Sequence, residues 1–191
     1  MTKVYTIKNA RVAYPQLFNR PVVNGNEGKF GCKVLLDPND ADHAALIAEI
    51  REDIREMAAV KLDTKLATDK VALRNGDDLA KDWAEGYYIL SLNSNDRPAP
   101  ARVFGRDMKP IDKDELGLFY SGCRCNVRGS LWAQNNQYGK RVNGNFEAIQ
   151  WVGHDEKIVG GGLSDAQAAE GFDALPDDEA AFAGTDTDPG F

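Results

Sequence analysis

Short segments in which apolar residues alternate with polar ones recur along the chain, and this period of two is typical of β-strands. The pattern predicts five main strands, at residues 4–14, 29–36, 87–93, 123–134 and 144–152. Their content of β-branched and aromatic residues supports the same assignment. We therefore expect a mainly β fold.

One segment has the period of a helix instead. Residues 39–61 repeat apolar side chains at steps of three and four, which gives a single apolar stripe. The stripe consists of Leu46, Ile47, Ile50, Ile54 and Met57. Asp37 is placed to cap the first turn, and Pro38 to occupy the first helical position. We expect one long helix that covers one side of the sheet, with His43 as a surface or capping residue.

The remaining connections are rich in turn-forming residues. Residues 15–28 contain two prolines and an Asn-Gly turn, so they are predicted as a long loop or ribbon. Residues 64–85 are polar and irregular, with a short helix predicted at 78–83. Residues 96–112 form a basic, proline-rich excursion with a short strand at Arg102–Phe104. The charge of this excursion fits either an extension of a nucleic-acid groove or a solvated loop.

The negative charge of the chain is concentrated near its C-terminal end. The 191-residue sequence has a formal net charge of −7, yet residues 1–163 contain 23 basic and 22 acidic residues. Residues 164–191 contain eight carboxylates and no Lys or Arg. Because this segment also lacks apolar periodicity, we predict one domain at 1–163 followed by a disordered acidic tail at 164–191.

The last residues of this tail predict a role in binding. Asp186 and Asp188 precede the terminal Phe191, which carries a free carboxylate. Such an end can anchor in a pocket of a partner protein that has a basic rim. The alternative is a segment that only adds solubility.

The cysteines and histidines show no recognisable metal-binding pattern. Cys32, Cys123 and Cys125 lack Cys-x-x-Cys spacing, and His43 and His154 do not complete a zinc signature. We expect three reduced thiols that pack as small apolar groups, in a cytoplasmic protein without metal or cofactor. With no leader and no run of eighteen apolar residues, membrane association is not expected.

The most informative stretch is residues 116–146, which is rich in basic and aromatic residues and contains no acidic one. A strand at 123–134 would place Cys123, Cys125, Val127 and Leu131 on one face and Arg124, Asn126, Arg128, Ser130 and Trp132 on the other. Arginine donates paired hydrogen bonds to phosphate, and an exposed aromatic ring stacks on any base. The second face therefore predicts sequence-tolerant binding of a nucleic acid. The alternative is that Trp132 packs against a neighbour and the arginines are merely solvated.

A basic, aromatic loop follows this strand and adds to the predicted surface. The predicted contacts are Arg124 and Arg128 to phosphates, Trp132 and Tyr138 to bases, and Lys140 and Arg141 as the charge of the loop. Packing in the core is the favoured role for Tyr5, Tyr14 and Phe30.

Four motifs in this half of the chain resemble those of one known family. In order, they are Tyr120-Ser121-Gly122-Cys123, Trp132-Ala133-Gln134, Tyr138-Gly139-Lys140-Arg141-Val142-Asn143 and Gly160-Gly161-Gly162. Across most of residues 1–163 the chain resembles the single-stranded DNA-binding proteins of tailed phages.

This resemblance implies an OB-fold-like five-stranded barrel, here elaborated, that coats single-stranded DNA in phage replication or recombination inside the infected bacterial cell. It also implies that the acidic tail docks on phage or host replication proteins and competes with DNA. The common OB plan places its helix between strands three and four, whereas the helix predicted here follows strand two.

We therefore favour a non-enzymatic single-stranded DNA-binding protein. The alternatives are a strand-annealing recombination mediator and a virion or scaffold protein whose tail is an assembly handle. A metal-dependent nuclease using Asp77, Asp78 and Asp82 has the least support, because no nucleophile motif or phosphate loop accompanies these residues. The sequence leaves homo-oligomerisation and the choice between DNA and RNA open.

Overall fold

The computed structural model describes residues 2–94 and 102–158, within which it contains nine β-strands and one α-helix. They are β1 (Val4–Gln16), β2 (Val22–Val23), β3 (Asn26–Glu27), β4 (Phe30–Leu36), α1 (Ala41–Leu62), β5 (Leu73–Asn75), β6 (Tyr88–Ser94), β7 (Arg102–Phe104), β8 (Arg124–Asn136) and β9 (Gly139–Gly153). The predicted tail at 164–191, with Asp186, Asp188 and Phe191, lies outside the described residues, as does the predicted boundary at 163.

Five of these strands close into a barrel. Strand β1 pairs antiparallel with β4 and β8, β4 pairs with β6, and β8 pairs with β9. A parallel pairing of β6 with β9 completes the circle. Numbered one to five along the chain, these barrel strands are β1, β4, β6, β8 and β9. Around the barrel they follow the order 1-2-3-5-4-1, which is the order of an OB-fold. Strands β5 and β7 extend the sheet to seven strands, so the expected mainly β fold with an elaborated five-stranded barrel is confirmed.

The helix α1 connects the second and third barrel strands, β4 and β6, as the sequence predicts. Its buried apolar residues are Ile47, Ile50, Ile54, Ala58 and Leu62. Ile47, Ile50, Ile54 and Leu62 belong to the main core, together with the inward-facing residues of the barrel strands. No helix in the described ranges is both long and apolar enough to cross a membrane.

The start of α1 differs from the prediction. Asp40 is the N-cap, and its side chain accepts hydrogen bonds from the backbone N–H groups of Asp42 and His43. Asp37 instead holds the preceding turn, where its carboxylate accepts from the N–H of Asn39 at 2.8 Å. The predicted cap was wrong because Pro38 begins this turn and not the helix.

His43 is buried, which corrects its expected position at the surface. Its Nδ1 accepts from the N–H of Asp37 at 3.2 Å, and its Nε2 lies 2.9 Å from the carbonyl oxygen of Lys8. The imidazole therefore ties the start of α1 to β1.

Strand β4 is buried on both faces except at one residue. Val34 and Leu36 point into the barrel, whereas Leu35 belongs to a second cluster on the outside, with Ala13 and Ile89. Lys33 is half-buried and shares this outer face. The three cysteines are buried and free, as predicted.

The connections contain more structure than their sequence indicates. Strands β2 and β3 form a hairpin within the predicted ribbon at 15–28, with positive φ angles of 51° and 78° at the turn residues Asn24 and Gly25. The irregular segment at 64–85 contains three short 3-10 helices and β5. The predicted strand at Arg102–Phe104 is confirmed as β7.

The closure of the barrel leads to a testable prediction about Gly144. A Cβ at this position would lie 2.3 Å from the carbonyl oxygen of Ser91 on β6. We expect Gly144→Ala to destabilise the protein by about 1–3 kcal/mol, measured as the free energy of unfolding in urea. Gly153→Ala is the matched control, because nothing lies within 4 Å of its Cβ. Equal stability of both variants would contradict a close β6–β9 contact.

Candidate nucleic-acid interface

The outer face of β8 carries two of the six predicted contacts, Arg124 and Arg128, in the alternation expected from the sequence. Cys125 and Val127 are buried, and Arg124 and Arg128 lie on the opposite face. Ser130 differs, because it is buried and donates a hydrogen bond to Glu147 Oε1 at 2.9 Å. The pairing of β8 with β9 shifts register just before Ser130, between Arg128 and Gly129.

The guanidinium group of Arg124 forms hydrogen bonds within the protein. Its Nε donates to Asp155 Oδ2 at 2.6 Å, and its Nη1 to the carbonyl oxygen of Asn9 at 3.0 Å. Arg11 approaches the same carboxylate oxygen at 3.9 Å. A phosphate at Arg124 would therefore have to share this arginine with Asp155.

Arg128 is also paired with a carboxylate, although it is more exposed. Its Nε lies 3.1 Å from Glu147 Oε2 on β9, and 58% of the side chain is accessible to solvent. Its role as a phosphate contact remains a prediction, as does that of Arg124.

Trp132 lies on a different surface from these two arginines. It is half-buried and lines a groove of about 620 Å³ between β8 and α1. The α1 wall of this groove includes Asp53, Glu56, Met57 and Val60. The lining also includes Lys3 and Lys61, so the groove contains charges of both signs. Stacking of Trp132 on a base remains a prediction.

The tip of the β8–β9 hairpin projects the basic, aromatic loop. Tyr138 is 75% exposed, in a turn that needs the positive φ of 97° at Gly139. Lys140 Nζ donates to the carbonyl oxygen of Leu62 at 2.6 Å, at the end of α1, where a cation also interacts favourably with the helix dipole. The hairpin tip is thereby fixed against the helix.

Arg141 connects this tip to the segment between α1 and β5. The pKa of the Asp69 carboxyl is lowered, chiefly by its hydrogen bond to Lys70 and also by the charge of Arg141. Arg74 Nη2 in turn donates to the carbonyl oxygen of Asp69 at 2.8 Å. Arg141 and Arg74 therefore lie on two sides of one short segment.

A second group of cations occupies the outer face of β4 and β6. Lys33 on β4 pairs in register with Ser91 on β6. Burial lowers the pKa of Lys33, and the nearby positive charges of Arg74 and Lys81 lower it further. These three cations therefore lie close enough to repel one another.

Two aromatic rings accompany Lys33. Tyr14 lies at a β-bulge of β1, has a positive φ of 51° and is 41% exposed. Its ring makes an edge-to-face contact with Trp83, with 5.6 Å between the centroids. Lys33 Nζ lies 5.9 Å from the ring centroid of Tyr14 and 5.7 Å from that of Trp83. Tyr14 was expected to pack in the core, but its side chain is partly exposed. Tyr5 and Phe30, for which the same role was expected, are buried.

Five cations link the hairpin tip to the β4–β6 face, and we call them the basic track. They are Lys33, Arg74, Lys81, Lys140 and Arg141. Within the described part of the chain, no carboxylate lies within 4 Å of a charged nitrogen of any of them. Arg11, Arg124 and Arg128, by contrast, all have a carboxylate partner. Asp69 is the carboxylate near Arg141, but among the described residues none of the five cations of the basic track forms an ion pair within that distance.

The sequence analysis predicted contacts at the hairpin tip but did not single out Lys33, Arg74 or Lys81, which the structure brings close to one another. One signal was present, because Lys33 interrupts an otherwise apolar strand, and a cation there needs an explanation. Arg74 and Lys81 gave no such signal, since they lie in a polar, irregular segment.

Asp77, Asp78 and Asp82 were considered above as a possible metal site. The structure gives Asp77 a structural role instead. Its Oδ1 accepts from the N–H of Gly86 at 2.7 Å, and so holds the loop before β6. In the described ranges, no three His, Cys, Asp or Glu side chains are arranged to hold a metal ion.

Solved structures of two phage proteins share this fold. The single-stranded DNA-binding protein of bacteriophage Enc34, in complex with single-stranded DNA, has a TM-score of 0.68 and 23% identity, over 82% of this chain and 89% of that one. The single-stranded DNA-binding protein gp2.5 of bacteriophage T7 has a TM-score of 0.59 and 13% identity, over 91% of this chain and 96% of that one. At these identities the likeness shows the fold alone.

The family assignment comes from the sequence of the chain. No curated protein matches it significantly. The family model described as the Enterobacter phage Enc34 single-stranded DNA-binding protein matches residues 2–182, which is nearly the whole length. The chain therefore belongs to the Enc34 family of phage single-stranded DNA-binding proteins.

Proposed function

We propose that the protein binds single-stranded DNA along the basic track, without sequence preference and without catalysis. The observation that carries this proposal is the set of five unpaired cations beside the rings of Tyr14, Trp83 and Tyr138. OB-fold proteins bind oligonucleotides on the face of their second and third strands and at the loops between strands one and two and strands four and five. In this chain that face is β4–β6, and the last of these loops is the β8–β9 tip.

The chemistry of the surface suits a flexible, charged strand. The cations neutralise phosphates, which releases condensed counterions and makes binding weaker as salt increases. Five phosphate contacts correspond to a log–log salt slope of about −3.5 for a single strand. Exposed rings offer a face to any base, so affinity depends little on sequence. A duplex hides its bases in stacked pairs and cannot use these rings.

The remaining predicted contacts extend this surface. Arg128 is exposed enough to add a phosphate contact, and Arg124 and Trp132 would join only if the strand continued around the barrel. Contacts at Arg124 and Arg128 would add less binding free energy, because the DNA would have to compete with Asp155 and Glu147 for these arginines.

For the cellular role, we propose coating and protection of single strands in phage DNA replication or recombination, in the cytoplasm of the infected cell. The acidic tail, through Asp186, Asp188 and Phe191, would recruit phage or host replication proteins. Its composition supports this proposal, because residues 164–191 combine eight carboxylates with apolar residues such as Phe191.

Loss of the Lys33 charge should weaken binding of DNA. We expect Lys33→Gln to lower the affinity for oligo(dT) about tenfold and to make the log–log salt slope about 0.7 less steep. Fluorescence anisotropy at several salt concentrations gives both quantities. Arg55→Gln is the matched control, since it removes one positive charge from α1 at a side chain that is 72% exposed. Equal effects of the two variants would show that only net charge matters.

Loss of the Tyr138 ring should weaken binding without a change in stability. We expect Tyr138→Ala to cost about 1–3 kcal/mol of binding free energy, because the ring stacks on a base. The thermal midpoint should stay unchanged, since the ring is exposed. Tyr138→Phe retains the stacking face and serves as the control. Unchanged affinity of Tyr138→Ala would remove the ring from the interface.

Deletion of residues 164–191 should tighten binding of DNA at low salt. The deletion removes eight negative charges that compete with phosphates for the basic track. The difference between the full and shortened chains should disappear at high salt, where the charges are screened. Equal affinities of the two chains at low salt would show that the tail does not compete with DNA. Recruitment of partners by the tail is tested separately, with replication proteins.

A further inference from the structure

One ion pair lies beside the basic track and is not explained by the proposed function. Lys70 Nζ is 3.1 Å from Asp69 Oδ2, in the short 3-10 helix Thr68–Lys70 between α1 and β5. Both side chains are accessible to solvent, at 40% for Lys70 and 60% for Asp69. A carboxylate on a surface that binds phosphates opposes the binding, so its presence there needs a reason.

Backbone contacts place this pair between the hairpin tip and the β4–β6 face. The residue that follows Lys70 forms a parallel bridge with Val142, so Lys70 and Arg141 are neighbours across the bridge. On the other side, Arg74 Nη2 donates to the carbonyl oxygen of Asp69 at 2.8 Å. A strand of DNA that runs along the basic track would therefore pass directly over Asp69 and Lys70.

The contacts of the Asp69 carboxylate are ones that a phosphate can also make. Its pKa is lowered chiefly by the hydrogen bond from Lys70, and the charge of Arg141 lowers it further. An ammonium group donates charge-assisted hydrogen bonds to a carboxylate and to a phosphate alike. Because an exposed ion pair contributes little free energy, a phosphate can displace Asp69 from Lys70 at low cost.

We propose that Asp69 occupies the place of a phosphate at Lys70 in the free protein, and that single-stranded DNA displaces it. The inference rests on the proposed function, and it adds Lys70 as a sixth cation of the DNA surface. Asp69 is then an internal competitor of the DNA, because it occupies Lys70 in the free chain and repels the phosphate in the complex. Its effect is a lower affinity for the coated strand.

A double-mutant cycle at these two residues tests the proposal on the full chain. Asp69→Asn removes the competing carboxylate, Lys70→Gln removes the cation, and the double variant removes both. Glu52→Gln is the matched control for Asp69→Asn, because Glu52 is 70% exposed and lies 2.9 Å from Arg55 on α1. Each of these two substitutions removes one negative charge and releases one cation, but the pair on α1 is not part of the basic track. Fluorescence anisotropy gives the affinities for oligo(dT) at low and high salt.

The expected gain in affinity is specific to Asp69 and depends on Lys70. Asp69→Asn should bind oligo(dT) about threefold more tightly than the native chain at low salt, whereas Glu52→Gln should stay near native. The gain should disappear at high salt, where the charges are screened. Lys70→Gln should change the affinity of the native chain little, because a phosphate there only replaces a carboxylate. In the Asp69→Asn background, the same substitution should remove the gain.

The Asp69 carboxyl provides a second measurement. Since the hydrogen bond from Lys70 lowers its pKa in the free chain, displacement by a phosphate should raise this pKa. NMR titration of the side-chain carboxyl carbon, with and without saturating oligo(dT), measures the change. Asp107 is the internal control, because its pKa is lowered by its own turn, through the backbone N–H and side chain of Lys109, and should not respond to DNA.

Three results would overturn the proposal. They are equal affinities of Asp69→Asn and Glu52→Gln, equal weakening by Lys70→Gln in both backgrounds, and a pKa of Asp69 that does not rise with DNA. If the native chain still binds oligo(dT) in a salt-dependent manner, these results reject the inference alone. Absence of salt-dependent binding by the native chain would reject the proposed function as well. Thermal midpoints close to native show that the variants are folded.

Discussion

The parallel pairing of β6 with β9 is the contact on which the candidate interface depends. Gly144 lets the two strands approach, with Leu92 and Asn93 opposite Gly144 and Asn145. This pairing closes the barrel, and just beyond it Val142 pairs with Val71 ahead of β5. The hairpin tip is thereby brought to the same side of the molecule as the β4–β6 face. Without this closure, Arg141 and Lys33 would belong to unrelated parts of the sheet.

The barrel distributes its charges unequally over its surface. On the outer face of β8 and β9, arginines are paired with Asp155 and Glu147, and these ion pairs hold neighbouring strands and the segment after β9. On the β4–β6 face and at the hairpin tip, the cations have no such partners within the described ranges. In the proposed function, a negatively charged ligand would relieve the repulsion around Lys33.

The elements of the fold were largely predictable because their signals are local. The alternation of apolar and polar residues predicted the barrel strands. The apolar stripe that includes Ile47, Ile50 and Ile54 predicted α1. The cap was less predictable, since Asp37 and Asp40 are both acceptable N-caps by residue type, and only the turn at Pro38 decides between them. Strand β7, with three residues, was found from its β-branched and aromatic content alone.

The interface was less predictable because it is assembled from distant segments. Lys33, Arg74 and Lys81 meet only through the pairing of β4, β6 and β5, which no local pattern specifies. Residues 116–146 contain no acidic residue, and this pattern predicted Arg124 and Arg128 as phosphate contacts. The carboxylate partners of these arginines, Asp155 and Glu147, lie after that stretch in the sequence. Local sequence pattern therefore predicts the kind of ligand, whereas a proposed path for the ligand needs the three-dimensional structure.

The path of the DNA is the central claim of this account, and photo-crosslinking tests it most directly. Oligo(dT) that carries 4-thiothymine at single positions is irradiated with the full-length protein, and the crosslinked residues are identified by mass spectrometry. The account predicts crosslinks at Tyr14, Trp83 and Tyr138, on the β4–β6 face and the hairpin tip. Crosslinks confined to the outer face of β8 around Arg124 and Arg128, or to the groove at Trp132, would contradict it.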